Sequence, residues 1–190
     1  MPVSGLADAI VPNPSWRNEV QELTGEKFSV CYQCEKCTNG CPVTFAMDIV
    51  PHRIMRLLSL GMKDRVLQSD TIWVCASCET CTTRCPNGID IAHIMDTLRQ
   101  VSQHEGVEIA QKNIPIFHSA FLSSIRRYGR VHETTMVVTF LLKSEGLRGL
   151  LRYAGMGLDM MRKGKIKLLP GRFRANSQVR SIFRKAKGKA

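Results

Sequence analysis

No cysteine of this chain stands outside two short runs, so none is left for a catalytic nucleophile or a separate redox pair. No apolar stretch approaches the roughly 18 residues a membrane-spanning helix needs. The best candidate, Thr134 to Leu142, stops after nine residues at Lys143. The opening MPVSGLADAIVPNP lacks the basic and apolar regions of a secretory leader. A disulfide framework, which suits small secreted chains, is therefore not expected, and a reducing, cytoplasmic setting is. Aromatic residues make up 6% of the chain, and the basic tail of residues 166–190 offers only Phe173 and Phe183. That is too few to interleave with cations as single-stranded nucleic-acid binding requires, so no nucleic-acid partner is expected.

What is present is a duplicated pattern. Cys31-x2-Cys34-x2-Cys37-x3-Cys41-Pro42 returns 44 residues later as Cys75-x2-Cys78-x2-Cys81-x3-Cys85-Pro86. Glu35 and Glu79 also match, as do Thr38 and Thr82. Structural zinc favours paired C-x2-C units that give two ligands each, and a triple run with x3-C-P fits that poorly. Three thiolates two residues apart let one tightly wound loop reach three corners of an iron–sulfur cube. Pro42 and Pro86, with fixed φ and no N–H, turn the chain away after the last cysteine of each run.

This spacing resembles that of bacterial-type ferredoxins holding two 4Fe–4S clusters, in which the fourth cysteine of each run ligates the other cluster. The resemblance implies one cluster on Cys31, Cys34, Cys37 and Cys85, and a second on Cys75, Cys78, Cys81 and Cys41. One-electron transfer is then the first functional expectation.

The 190 residues carry 44% apolar content and a net charge of +11, unevenly spread. Residues 143–190 hold fourteen Lys/Arg against Glu145 and Asp159, whereas residues 1–142 hold thirteen against fourteen acids. The segment reads either as a solvated end or as a docking element for an acidic partner, RNA or an anionic membrane surface.

Helical signals fill the spaces around the runs. Ser15 is a candidate N-cap for a helix that Gly25 stops, with Trp16 on the core. Asp48, Pro51 and Gly61 frame a second, with Val50, Ile54, Leu57 and Leu58 as its apolar face. Residues 62–69 read as a short third. Asp90 caps a helix with apolar positions at 91, 94, 95, 98 and 101, ended by Gly106. Residues 114–142 form two helical pieces with a turn near Tyr128-Gly129-Arg130. Residues 147–161 form an amphipathic helix weakened by Gly149, Gly155 and Gly157. From Lys163 the chain reads as an extended arm. The five histidines show no ligand spacing, and His93 reads as structural.

The expected fold is mainly α: an α-helical ferredoxin with two 4Fe–4S clusters and a helical C-terminal extension. Its expected parts are an N-terminal extension (1–24), a two-cluster core (25–105), a helical region (106–165) and a basic interaction tail (166–190).

Over residues 25–165 the chain resembles the C subunit of heterodisulfide reductase, the iron–sulfur electron-transfer component of that enzyme. The two cysteine runs, the length, the helical spacer and Cys85-Pro86-Asn87-Gly88-Ile89-Asp90 leading into a helix carry the resemblance, with Ser124 to Arg130 adding to it. It implies an oxidoreductase complex component with no catalytic residues of its own. Such a protein relays electrons from a flavin-bearing A subunit to a cysteine-rich B subunit that cleaves a disulfide, in methanogenesis for archaeal members. The alternative is the iron–sulfur subunit of another flavin-dependent or membrane-associated dehydrogenase complex.

Overall fold

The computed structural model describes residues 11–165, 171 and 176–187. The chain forms two compact units, residues 1–111 and 112–190. Every regular element among the described residues is helical.

In the first unit the elements are α1 (Pro14–Thr24), α2 (Lys36–Asn39), α3 (Pro51–Leu60), α4 (Lys63–Leu67), α5 (Thr71–Val74), α6 (Thr80–Arg84) and α7 (Ile91–His104). Helix α1 packs on α3 and α7, α3 on α4, and α7 on α5 and α6. Phe28, Ile54, Met55, Leu58, Leu67, Ile72, Ile94, Met95 and Leu98 are wholly enclosed between them. The long helices thus form an apolar floor, and the cysteine runs lie on short helices and turns above it.

Trp16 is buried and Gly25 ends α1 at φ 69°, as the sequence suggests. The cap is Asn13 rather than Ser15: its Oδ1 accepts from the Trp16 N–H, and Pro14 takes the first helical position. Proline there gives up a donor that would have been unpaired anyway. Asp48 is likewise not the cap of α3, which starts after Val50 with Pro51. Its Oδ1 instead accepts from the Thr71 N–H (3.1 Å) and hydroxyl (2.8 Å), clamping the start of α5. Burial pushes the Asp48 carboxyl up, but the Thr71 hydroxyl and neighbouring N–H groups outweigh it and hold the pKa below the usual range. On α3, Met55 is enclosed with Ile54 and Leu58, while Val50 and Leu57 are half-buried. Asp90 caps α7 by accepting from the His93 N–H.

Gly61 is fixed by a close approach. It ends α3 at φ 69°, and a Cβ there would sit 1.9 Å from the Asn13 carbonyl oxygen. The same approach lets the Asn13 N–H donate to the Leu60 carbonyl, tying the start of α1 to the end of α3.

The second unit contains α8 (Asn113–Tyr128), α9 (Glu133–Ser144), α10 (Gly146–Arg162) and α11 (Asn176–Lys187). Helix α8 packs on α9 and α11, and α9 on α10. The turn between α8 and α9 is held by His132, whose N–H donates to the Ser124 hydroxyl at 2.8 Å. Despite its glycines, α10 is one continuous helix, and Leu147, Leu151 and Leu158 on it are exposed. Of the expected extended arm, residues 163–165 leave α10 through a turn, and residues 166–170 and 172–175 lie outside the described residues. Beyond them α11 is a helix.

Candidate metal centre

Each cysteine run is launched from a buried anchor. Phe28 and Ile72, three residues before Cys31 and Cys75, are both wholly enclosed. The two launching cysteines have nearly the same backbone, φ −63° and ψ 121° at Cys31, φ −55° and ψ 122° at Cys75. The loops then wind by alternating hand. Gln33 and Glu35 flank Cys34 at φ 57° and 61°, and Ser77 and Glu79 flank Cys78 at φ 48° and 59°. These are the only non-glycine residues with positive φ among those described. Left-handed residues of this kind cost roughly 1–2 kcal/mol each. Alternating right- and left-handed residues turn successive N–H groups toward one concavity, the backbone nest that receives anions and iron–sulfur clusters. The strain therefore sits where an anionic group would repay it.

Cys37 and Cys81 lie in the first turns of α2 and α6, and Cys41 and Cys85 follow the ends of those helices. A small cavity is lined by Cys31, Cys34, Cys37 and Cys85, with Pro86 and His52 at its wall. Three cysteines of the first run thus share a space with the last of the second. On the other side, Cys75 has Cys41 as an electrostatic neighbour. Burial pushes the Cys75 thiol up; a Ser77 N–H and the Arg99 guanidinium pull against it. Burial and the nearby Cys75 push Cys81 up to about 11, and burial also raises Cys37. Exposed Cys78 is lowered by the hydroxyl and N–H of Thr80. Binding iron would offset this burial by stabilising the thiolates.

The donor set fits a cluster. All eight ligand candidates are soft sulfurs, and the Gln33 amide already points at Cys31 Sγ (3.3 Å). Among the described residues, no three His, Cys, Asp or Glu side chains converge tightly enough for a single ion.

A second layer of contacts fixes the loops to the floor. The Thr38 hydroxyl accepts from the His52 N–H at 3.1 Å and pairs with His52 Nδ1 at 2.9 Å. The Thr82 hydroxyl accepts from the Ala92 N–H at 3.3 Å and donates to Asp90 at 3.0 Å. His52 and Ala92 are each the second residue of a long helix, α3 and α7. The Asn87 amide donates to the Val30 carbonyl, joining the exit of the second run to the entrance of the first. The repeat of Thr38 at Thr82 is visible in the sequence; the helix N–H that each one holds is not. Nor do the letters announce Arg99, which reaches the carbonyls of Ile72 and Cys75 from α7.

Residues 30–90 match the family described as a 4Fe–4S dicluster domain, a stretch that contains all eight cysteines. The iron–sulfur C subunit of CoB–CoM heterodisulfide reductase from Methanopyrus kandleri is 35% identical over 102 residues, 50% of this chain and 53% of that protein. Its counterpart from Methanocaldococcus jannaschii, designated C 2, is 34% identical over 125 residues, 62% of this chain and 63% of its own length. This chain is similar in sequence to heterodisulfide reductase iron–sulfur C subunits. A further relative is the C2 subunit of an H2/formate:CoB–CoM heterodisulfide,ferredoxin reductase from Methanococcus maripaludis, 35% identical over 102 residues, 50% of this chain and 55% of that protein. The chain spans between about half and two thirds of the lengths of these C subunits. All of them are named as subunits of oxidoreductases, which agrees with a redox role for the sulfur-lined site.

Proposed function

We propose that this chain holds two 4Fe–4S clusters and relays electrons within a heterodisulfide reductase-like complex. The first cluster takes Cys31, Cys34, Cys37 and Cys85; the second takes Cys75, Cys78, Cys81 and Cys41. The observation that carries this reading is the cavity in which Cys85 joins the three cysteines of the other run. The proximity of Cys41 to Cys75 supports the reciprocal half. The clusters would accept and release single electrons. The protein's own part is to hold the sulfurs, aim N–H groups at them and exclude water. With every cysteine committed as a ligand, the chain has no thiol for disulfide chemistry, and a partner performs that step.

The partners in this reading are a flavin-bearing A subunit and a catalytic cysteine-rich B subunit. The second unit supports docking to an acidic surface: residues 112–190 carry eighteen Lys/Arg against Glu133, Glu145 and Asp159. A groove lined by Arg126, Arg127, Arg180 and Arg184 runs along it, with no carboxylate in its lining. Guanidinium forks match carboxylates in pairs. No helix among the described residues is long and apolar enough to cross a membrane. The exposed leucines of α10 favour one further reading, in which this unit rests on anionic lipid beside another dehydrogenase complex.

Anaerobically purified protein tests the reading. It should contain about eight iron and eight acid-labile sulfide per chain, and on reduction show two interacting paramagnets. Stoichiometric zinc without sulfide would overturn it. The pure chain should exchange electrons with dyes yet reduce no disulfide. Co-sedimentation with anionic vesicles, against co-purification with a cysteine-rich partner, separates the two settings.

A further inference from the structure

The two cysteine runs are near copies, but their electrostatic surroundings are not. Arg99 lies on α7 with its side chain only 13% exposed. It donates to the carbonyls of Ile72 and Cys75, to the Ser77 hydroxyl at 3.3 Å and to Asp96 at 2.8 Å. A guanidinium is therefore inserted against the first turn of the second loop. The two halves correspond with an offset of 40 in their long helices, as Thr38–His52 and Thr82–Ala92 show. The place of Arg99 in the first half is Ser59, whose hydroxyl donates to its own helix at the Met55 carbonyl. The arginines of α3, Arg53 and Arg56 (the latter at the place of Asp96), are both exposed. Along the first loop Glu35 and Lys36 are both exposed, and His52 Nε2 lies 3.6 Å from the Glu35 carboxylate. Arg84 lies against Gly40.

Reduction adds one negative charge to a cluster. A nearby, poorly solvated cation stabilises that charge and raises the potential, and a nearby anion lowers it. Asp96 opposes Arg99, but its side chain is 46% exposed, so water screens it more. The guanidinium also fixes the Cys75 carbonyl dipole, a hydrogen-bonding effect on the same loop.

We infer that Arg99 is a positioning residue that selectively raises the potential of the cluster on the Cys75 loop, biasing the first electron toward it. This rests on the ligand assignment proposed above. Its consequence is a built-in slope between two otherwise similar centres.

The test is a redox titration of anaerobically reconstituted full-length protein, followed by EPR. Cys34→Ser and Cys78→Ser first assign the two signals. Iron and sulfide analysis comes before any titration, so a protein without two four-iron clusters refutes the ligand reading rather than this one. Arg99→Gln should lower the potential of the Cys75-loop cluster by about 59 mV or more, a tenfold loss of electron affinity for a one-electron couple, and leave the other in place. Arg99→Lys keeps the charge without the fork and should fall between. Asp96→Asn removes the opposing charge and should shift the same cluster upward. Opposite signs from two neighbouring variants cannot come from loosened packing. If Arg99→Gln does not retain its clusters, Arg99→Lys and Asp96→Asn decide the matter. Unchanged potentials in variants that keep both clusters, or equal shifts at both, would overturn the inference.

Discussion

Gly40 and Arg84 occupy the same place in the two cysteine runs, and they lie against each other. A Cβ on Gly40 would sit 2.7 Å from Arg84 Cδ. Each residue immediately precedes the last cysteine of its run, Cys41 or Cys85. The contact joins α2 to α6, so the two copies meet at equivalent positions that differ in size: one is empty so that the other fits.

That complementarity predicts a non-additive pair. Gly40→Ala should cost about 1 kcal/mol, since the guanidinium arm must move away from its seat. In an Arg84→Ala background the same change should cost nearly nothing. Thermal melts of the four holoproteins measure the coupling. Additive losses would mean the contact is incidental.

Cys85→Ser should damage the cluster built on the first run, not the one built on its own. Iron should fall from about eight to about four per chain, or a three-iron signal should replace one four-iron signal. The surviving signal should be the one that Cys78→Ser removes. Survival of the first-run cluster instead would disprove the crossed assignment.

Gly61→Ala should destabilise the first unit by about 3 kcal/mol. The new methyl meets both a left-handed backbone and the Asn13 carbonyl, which cannot swing aside like a side chain. Gly25→Ala, with left-handed φ but open space around it, should cost only about 1 kcal/mol. Chemical unfolding of the two variants under argon compares them. Equal losses would show that the close approach to Asn13 carries no weight.

Charge reversal in the arginine groove should affect assembly and spare the clusters. Arg180→Glu with Arg184→Glu should weaken binding to an acidic partner protein about tenfold or more, and added salt should shrink the gap between wild type and variant. Iron content should stay at the wild-type value, since no cysteine lies beyond Cys85. Unchanged affinity at every salt concentration would leave the groove without a role in docking.

The cysteine spacing carries most of the site in the sequence, because ligand geometry demands fixed intervals that survive reading letter by letter. The helices α3 and α7 are equally legible, since glycine stops and apolar periodicity mark both. What the sequence hides is anything that depends on who meets whom across the fold. Asp48 looks like a helix cap by position, yet its partner is Thr71, 23 residues away. Ser15 is a good cap by residue type, but Asn13 with Pro14 behind it competes better. The left-handed backbone at Gln33, Glu35, Ser77 and Glu79 has no signal at all, because none of these residues is glycine. Their conformation is imposed by the loop, against local preference.

The threonine contacts have a historical reading. Thr38 holds the second residue of a helix 14 positions on, and Thr82 holds the second residue of its own helix 10 positions on. The same joint recurs with four residues inserted or lost between its parts, as expected of a duplicated ancestral segment that later drifted. Under the crossed ligand assignment, a single such segment could not have closed either site alone. Two copies facing each other could, each lending the other its last cysteine. The present chain is then a dimer written into one polypeptide, and the inequality of its halves, Gly40 against Arg84 and Ser59 against Arg99, is what fusion made available to change.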